Sequence, residues 1–201
     1  MSRPTFNRHR LDGLVDAVLA ITMTLLVLEL ALPDDLHGNL LGALDELQPK
    51  IISWVVSFLI LALCWLGHTR AFHRVAQIDS RLFWLVALWL LFTSVIPFTS
   101  ALIGEHNELF TSHVIYAANI ILIEVAVILR NLYLKRHPEL LTEPGEAWGG
   151  VDWVAAGAIT LAALASVTLA AFTPEWASIA YALNAPFARI GRRLFGARGV
   201  D

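Results

Sequence analysis

The chain has 201 residues, 57% of them hydrophobic and 15% charged, with a formal net charge of −3. A soluble domain of this size carries nearer a quarter charged residues, so a soluble fold is excluded for most of the chain and lipid is its solvent. The single cysteine, Cys64, excludes a disulfide framework or a cysteine metal site and reads as a small buried apolar residue.

Six apolar spans follow one another: Val15–Leu32, Ile51–Gly67, Phe83–Ile103, Val114–Tyr133, Val154–Phe172 and a weaker Trp176–Ile190. The fold class expected is an all-α membrane protein, one six-helix domain over residues 1–201. The first span, 18 residues long, reaches about 27 Å as a helix, enough to cross a hydrocarbon core. It lacks a small-residue cleavage site and is too long for a signal peptide. Asp34–Pro49 reads as a short acidic outer loop with a helical turn through Leu40–Leu47. Pro97 kinks or ends the third span, and His137–Gly150, with Pro138 and Pro144, reads as an inner loop dividing four helices from two. The fifth span is Ala-rich, with Gly157, Ser166 and Thr168, and suits close helix packing. Thr173-Pro174 is an N-cap and first-turn proline for the sixth, which Pro186 interrupts. The chain ends soon after it, and no soluble enzymatic or sensor domain is expected.

The loops carry charge by side. Arg3, Arg8, Arg10, Arg70, Arg74, Arg81, Arg130, Lys135, Arg136, Arg189, Arg192, Arg193 and Arg198, thirteen of the fourteen basic residues, fall on one side. Lys50 alone sits opposite, beside seven acidic residues. The positive-inside rule then places both termini in the cytoplasm, in a multi-pass protein of the plasma membrane. The basic residues track topology, so no nucleic-acid role is expected.

Along the first helix Ile21, Leu25, Leu28 and Leu32 recur at spacings of 4, 3 and 4, with Thr24 beside them and Asp16 and Glu29 near the ends. Such a stripe fits core, lipid-facing surface or, with a carboxylate one turn from the end, the lining of a pore. Thr22 and Thr24 can also bond back to their own helix. Glu124, deep in the fourth span, is a candidate for function or for a structural hydrogen bond to a neighbouring helix. His106 and His113 make no convincing metal pair, and no nucleophile–base pairing points to an enzyme.

Arg10-Leu11-Asp12-Gly13-Leu14-Val15-Asp16 resembles the R-x-x-x-F-S-D motif of the transmembrane protein 175 potassium channels, in their single-repeat bacterial form. The likeness continues through AVLAITMTLLVLEL. It includes a W-x-x-H-x-x-x-F pattern at Trp65, His68 and Phe72, and an I-P-F-x-x-x-L-x-G-E segment from Ile96 to Glu105.

The resemblance implies a homotetramer of six-helix subunits in the bilayer, with the first helices around a potassium-permeable pore. By motif position the pore rings are Ile21, Leu25 and Leu28, with Thr24 as a hydroxyl layer. This chain has no T-V-G-Y-G, so a carbonyl filter is not available. A narrow apolar neck gates by dewetting and favours potassium, which sheds water more easily than sodium. Glu29 is expected to concentrate cations at the outer mouth. Arg10, Asp16, Trp65 and His68 are expected as a polar network bracing the pore helix, with Arg10, Asp16 and His68 in a buried cluster. Leu14 and Val15 replace the motif's Phe and Ser, which removes a hydroxyl. No cofactor is implied beyond permeating potassium ions. A secondary transporter or proton-coupled protein using Glu124 is the alternative; such proteins commonly show internal repeats, and none is found.

Overall fold

The computed structural model describes residues 5–31, 42, 44–45, 47–142, 153–177 and 179–182. Of the helical turn expected through Leu40–Leu47, Gly42, Leu44, Asp45 and Leu47 are described, the first three of them helical; most of the sixth span, including Pro186, lies outside the described residues.

Helix α1 (Arg8–Leu25) starts where the Asn7 side chain accepts from the His9 amide at 2.9 Å, satisfying one donor of the first turn. Leu11, Val15, Leu19 and Thr22 are its buried face. Beyond Leu25 the chain tightens into a 3-10 turn, Leu26–Glu29, in which Leu26 is fully buried. Helix α2 (Gln48–Phe72) begins with Pro49 in its first turn, where the missing N–H is harmless.

Helix α3 (Ser80–Ser94) is capped by Asp79, whose carboxylate accepts from the Leu82 amide at 2.9 Å. Helix α4 (Ile96–Glu105) follows after Val95 alone. Pro97 has no N–H, and its ring crowds the carbonyl of Thr93, so the helix bends there. It resumes with the Thr99 amide on the Val95 carbonyl at 3.1 Å. Pro97 therefore kinks the third span without ending it.

Helix α5 (Phe110–Arg136) packs against α3, α4 and α6 (Trp153–Ala170). Ala158, Ala162, Ala163, Ser166 and Ala170 of α6 are buried, the close approach that small residues permit. Short helices α7 (Pro174–Ala177) and α8 (Ile179–Ala182) cover α6.

Four helical segments are long and apolar enough to cross a membrane: Arg8–Glu29, Gln48–Phe72, Ser80–Glu105 and Phe110–Arg136. They overlap the first four expected spans. The apolar stretch Gly157–Ala170 of α6 is shorter than a crossing helix.

The arginine-rich end of the bundle is knitted by backbone. Strand β1 (Thr5–Phe6) pairs antiparallel with β2 (Ile78–Asp79). The Ala76 amide donates to the Leu140 carbonyl at 2.8 Å, and the Thr142 amide to the Arg74 carbonyl at 2.9 Å. Arg8 donates to the Val75 carbonyl at 3.0 Å and pairs with Asp12 at 3.2 Å. At the opposite end Lys50 of α2 pairs with Glu105 of α4 at 3.1 Å.

Candidate functional site

The two faces of α1 differ in kind. One is locked into the subunit; the other presents Ile21 at 59%, Leu25 at 44% and Leu28 at 71% exposure. Thr24 is exposed on the same side. Thr22 and Thr24 both bond to their own helix, to the Val18 carbonyl at 2.7 Å and the Ile21 carbonyl at 2.8 Å. The bond occupies the Thr24 proton and leaves its oxygen lone pairs as acceptors, the polarity that suits a passing cation. With Leu14 and Val27 also exposed, this side of the first helical segment is left open to lipid, to a further subunit or to a lumen.

Glu29 is half-buried, and its carboxylate accepts from the Ser100 hydroxyl of α4. Ser57 of α2 donates to Ser100 at 3.0 Å and lies 2.9 Å from the Tyr116 hydroxyl of α5. Since Ser57 spends its proton on Ser100, Tyr116 is the donor to Ser57. The result is a directed chain, Tyr116 to Ser57 to Ser100 to Glu29, through four elements. Sequence reading placed Glu29 at an outer mouth as a bare charge. The 3-10 turn packs this segment against α2 and α4, and the carboxylate is engaged inward.

The expected cluster of Arg10, Asp16 and His68 does not form within the subunit. Arg10 and Asp16 are exposed on α1, off its buried face, whereas His68 is buried on α2. Asp16 instead accepts from the Trp65 indole N–H at 2.8 Å. Val15, at the motif's Ser position, is fully buried and fills core where a hydroxyl would sit. Leu14, at the Phe position, is 43% exposed.

His68 pairs with Arg130 of α5, the guanidinium lying 3.2 Å from its Nδ1. An arginine only donates, so Nδ1 accepts and the imidazole is neutral with its proton on Nε2. His68 stacks on Phe72 at 4.1 Å and on Trp89 at 5.1 Å between ring centres. Arg130 lies over the same two rings, at 5.5 and 5.8 Å. This is a buried cation held by π faces and one imidazole. Glu124 is near enough for its charge to act on it. Sequence reading counted Arg130 among the inner-loop cations; the available signal was the apolar run continuing past it through Leu132 and Leu134.

Among the described residues no group of three or more His, Cys, Asp or Glu side chains could hold a metal ion.

These elements define a multi-pass helical membrane protein, with the α1 face of Ile21, Leu25 and Leu28 among the apolar helix faces that the subunit leaves exposed. Residues 10–97 match the family model described as endosomal/lysosomal potassium channel TMEM175. A protein of Streptomyces collinus named a potassium channel is 32% identical over 127 residues, 62% of this chain and 62% of its own length. One from Chamaesiphon minutus, also named a potassium channel, is 30% identical over 130 residues, covering 62% and 63%. The chain thus spans a little under two thirds of these relatives. The crystal structure of a homologue, from Chamaesiphon minutus, of the lysosomal potassium-selective channel TMEM175 shares the fold with a TM-score of 0.70. That match is 24% identical and covers 92% of this chain and 97% of the other.

Proposed function

We propose that the chain is a subunit of a potassium-permeable cation channel that conducts passively and has no carbonyl filter. The carrying observation is the α1 face on which Ile21, Leu25 and Leu28 are left open while Leu11, Val15, Leu19 and Leu26 are packed. In a homotetramer of six-helix subunits, four copies of that face close a pore. Each residue then becomes a ring: Ile21, Leu25 and Leu28 form the constriction and Thr24 a hydroxyl layer. Rings of this kind exclude water when closed and pass a cation only when it gives up part of its hydration.

Glu29 adds negative charge near the outer end, and its bond to Ser100 fixes where that charge sits. Asp16 and Trp65 set the angle of α1 against α2, and Arg10, exposed in the first turn of the helix, faces the neighbouring subunit. The protein sits in the plasma membrane with both termini cytoplasmic, works without a cofactor and has no enzymatic activity. The names of its relatives point to potassium as the permeant ion. The alternative, a proton-coupled protein using Glu124, has less support because that carboxylate acts on Arg130.

The test is purified protein in liposomes with an outward potassium gradient. Passive flux that falls when sodium replaces potassium supports the channel. Flux that requires a coupled proton gradient overturns it.

A further inference from the structure

A groove of about 790 Å³ runs along α3 and is lined by Arg81, Trp84, Ala87, Leu88 and Leu91, with Tyr133 of α5. It contains no residue of α1 and is separate from the proposed pore. Its walls are apolar, made by Trp84, Leu85, Ala87, Leu88 and Leu91, and the Tyr133 hydroxyl donates to Asp79, 2.5 Å distant. Arg81 is exposed at one end; Trp84, one turn on, is 70% exposed, and Leu91 is 58% exposed.

We propose that this groove seats an acyl chain of an anionic phospholipid whose phosphate is held by Arg81. Ten residues of α3 separate Arg81 from Leu91, about 15 Å of helix and half of a roughly 30 Å hydrocarbon core. The groove therefore spans one leaflet, from headgroup depth to the midplane. Arg81 belongs to the basic end of the bundle, shared with Arg70, Arg74, Lys135 and Arg136, which faces the anionic cytoplasmic leaflet. Trp84 stands where indole rings settle at a membrane interface. A guanidinium grips phosphate with a planar pair of donors, and the open apolar walls below it fit a flexible hydrocarbon chain. This inference rests on the membrane orientation of the chain and not on which ion it conducts.

The experiment is native mass spectrometry of the intact oligomer in detergent, titrated with phosphatidylglycerol or with phosphatidylcholine. Wild type is expected to retain phosphatidylglycerol in preference to phosphatidylcholine. Arg81→Gln is expected to weaken that retention about fivefold, the worth of one interfacial cation. Ala87→Phe, which fills the groove and leaves Arg81 intact, is expected to weaken retention of both lipids. Equal phosphatidylglycerol retention in wild type and both variants would overturn the proposal. So would a change of oligomer mass in Ala87→Phe, which would mean that a second copy of the chain occupies the groove. Ion flux is not the readout, so loss of the channel reading leaves this test standing.

Discussion

The Trp65 indole N–H donates to Asp16 across 2.8 Å, tying the last third of α2 to the middle of α1 on the outside of the subunit. The bond is made by the open side of α1, so it sets that helix's rotation without adding to the core. Trp65→Phe keeps an aromatic ring and removes the donor. We expect the oligomer to lose about 0.5–1.5 kcal/mol of stability, read as a lower thermal midpoint in detergent. In the Asp16→Ala background the same substitution should have little further effect.

Gly104 lies where α4 meets α2. A methyl group there would stand 2.9 Å from the Ser53 hydroxyl and 3.1 Å from the Lys50 backbone. The backbone cannot move aside cheaply, so Gly104→Ala should destabilise by about 1–3 kcal/mol. Gly67, in the last third of α2, has nothing within 4 Å of a Cβ. Gly67→Ala should therefore be neutral or gain up to about 1 kcal/mol from helix propensity. Paired thermal melts of the two variants check this.

Removing one partner of a buried charge is worse than replacing the charge. His68→Ala strips Arg130 of its imidazole acceptor and Phe72 and Trp89 of a stacking partner, and should cost about 3 kcal/mol. Arg130→Met fills the same space without a charge and should cost less. Chemical denaturation of the two variants gives the order. Glu124→Gln should weaken the protein in the same assay and leave the pH dependence of its flux unchanged; a lost pH-dependent proton flux would instead assign Glu124 to proton movement.

Tyr116→Phe removes the first donor of the chain that ends on Glu29. Ser57 then lacks its donor while Ser100 and Glu29 keep theirs. The expected loss is about 1 kcal/mol, near what interhelical hydrogen bonds contribute in membranes. Glu29→Gln should cost stability similarly and also lower conductance, by a margin that widens at low salt. Conductance that does not depend on salt would remove Glu29 from the permeation path.

Much of this architecture was readable from hydropathy, because lipid forces every backbone group to be satisfied within its own helix. The four crossing helices and the bend at Pro97 follow from that constraint and from the chemistry of proline. The α1 stripe was also legible in spacing, since Ile21, Leu25 and Leu28 fall on one side of a 3.6-residue repeat, but spacing did not say whether that side is core or exposed. Contacts between helices were not readable. Nothing local in the sequence says that His68 meets Arg130, 62 positions away. Nor does it reveal that a 3-10 turn carries Glu29 toward Ser100. Arg130 misled for a physical reason: an arginine near a helix end snorkels by default, and only the rings of Phe72 and Trp89 make its burial tolerable.

The central claim is that α1 lines the pore. Its most direct test is the reversal potential under bi-ionic potassium and sodium for wild type, Ile21→Asn and Leu25→Ala, with Leu28→Ala as a conductance control. The account predicts that both substitutions widen the neck and move the permeability ratio toward unity, and that Leu28→Ala conducts more than wild type. Unchanged ratios in both ring variants, at normal assembly and current, would contradict it and place the constriction elsewhere.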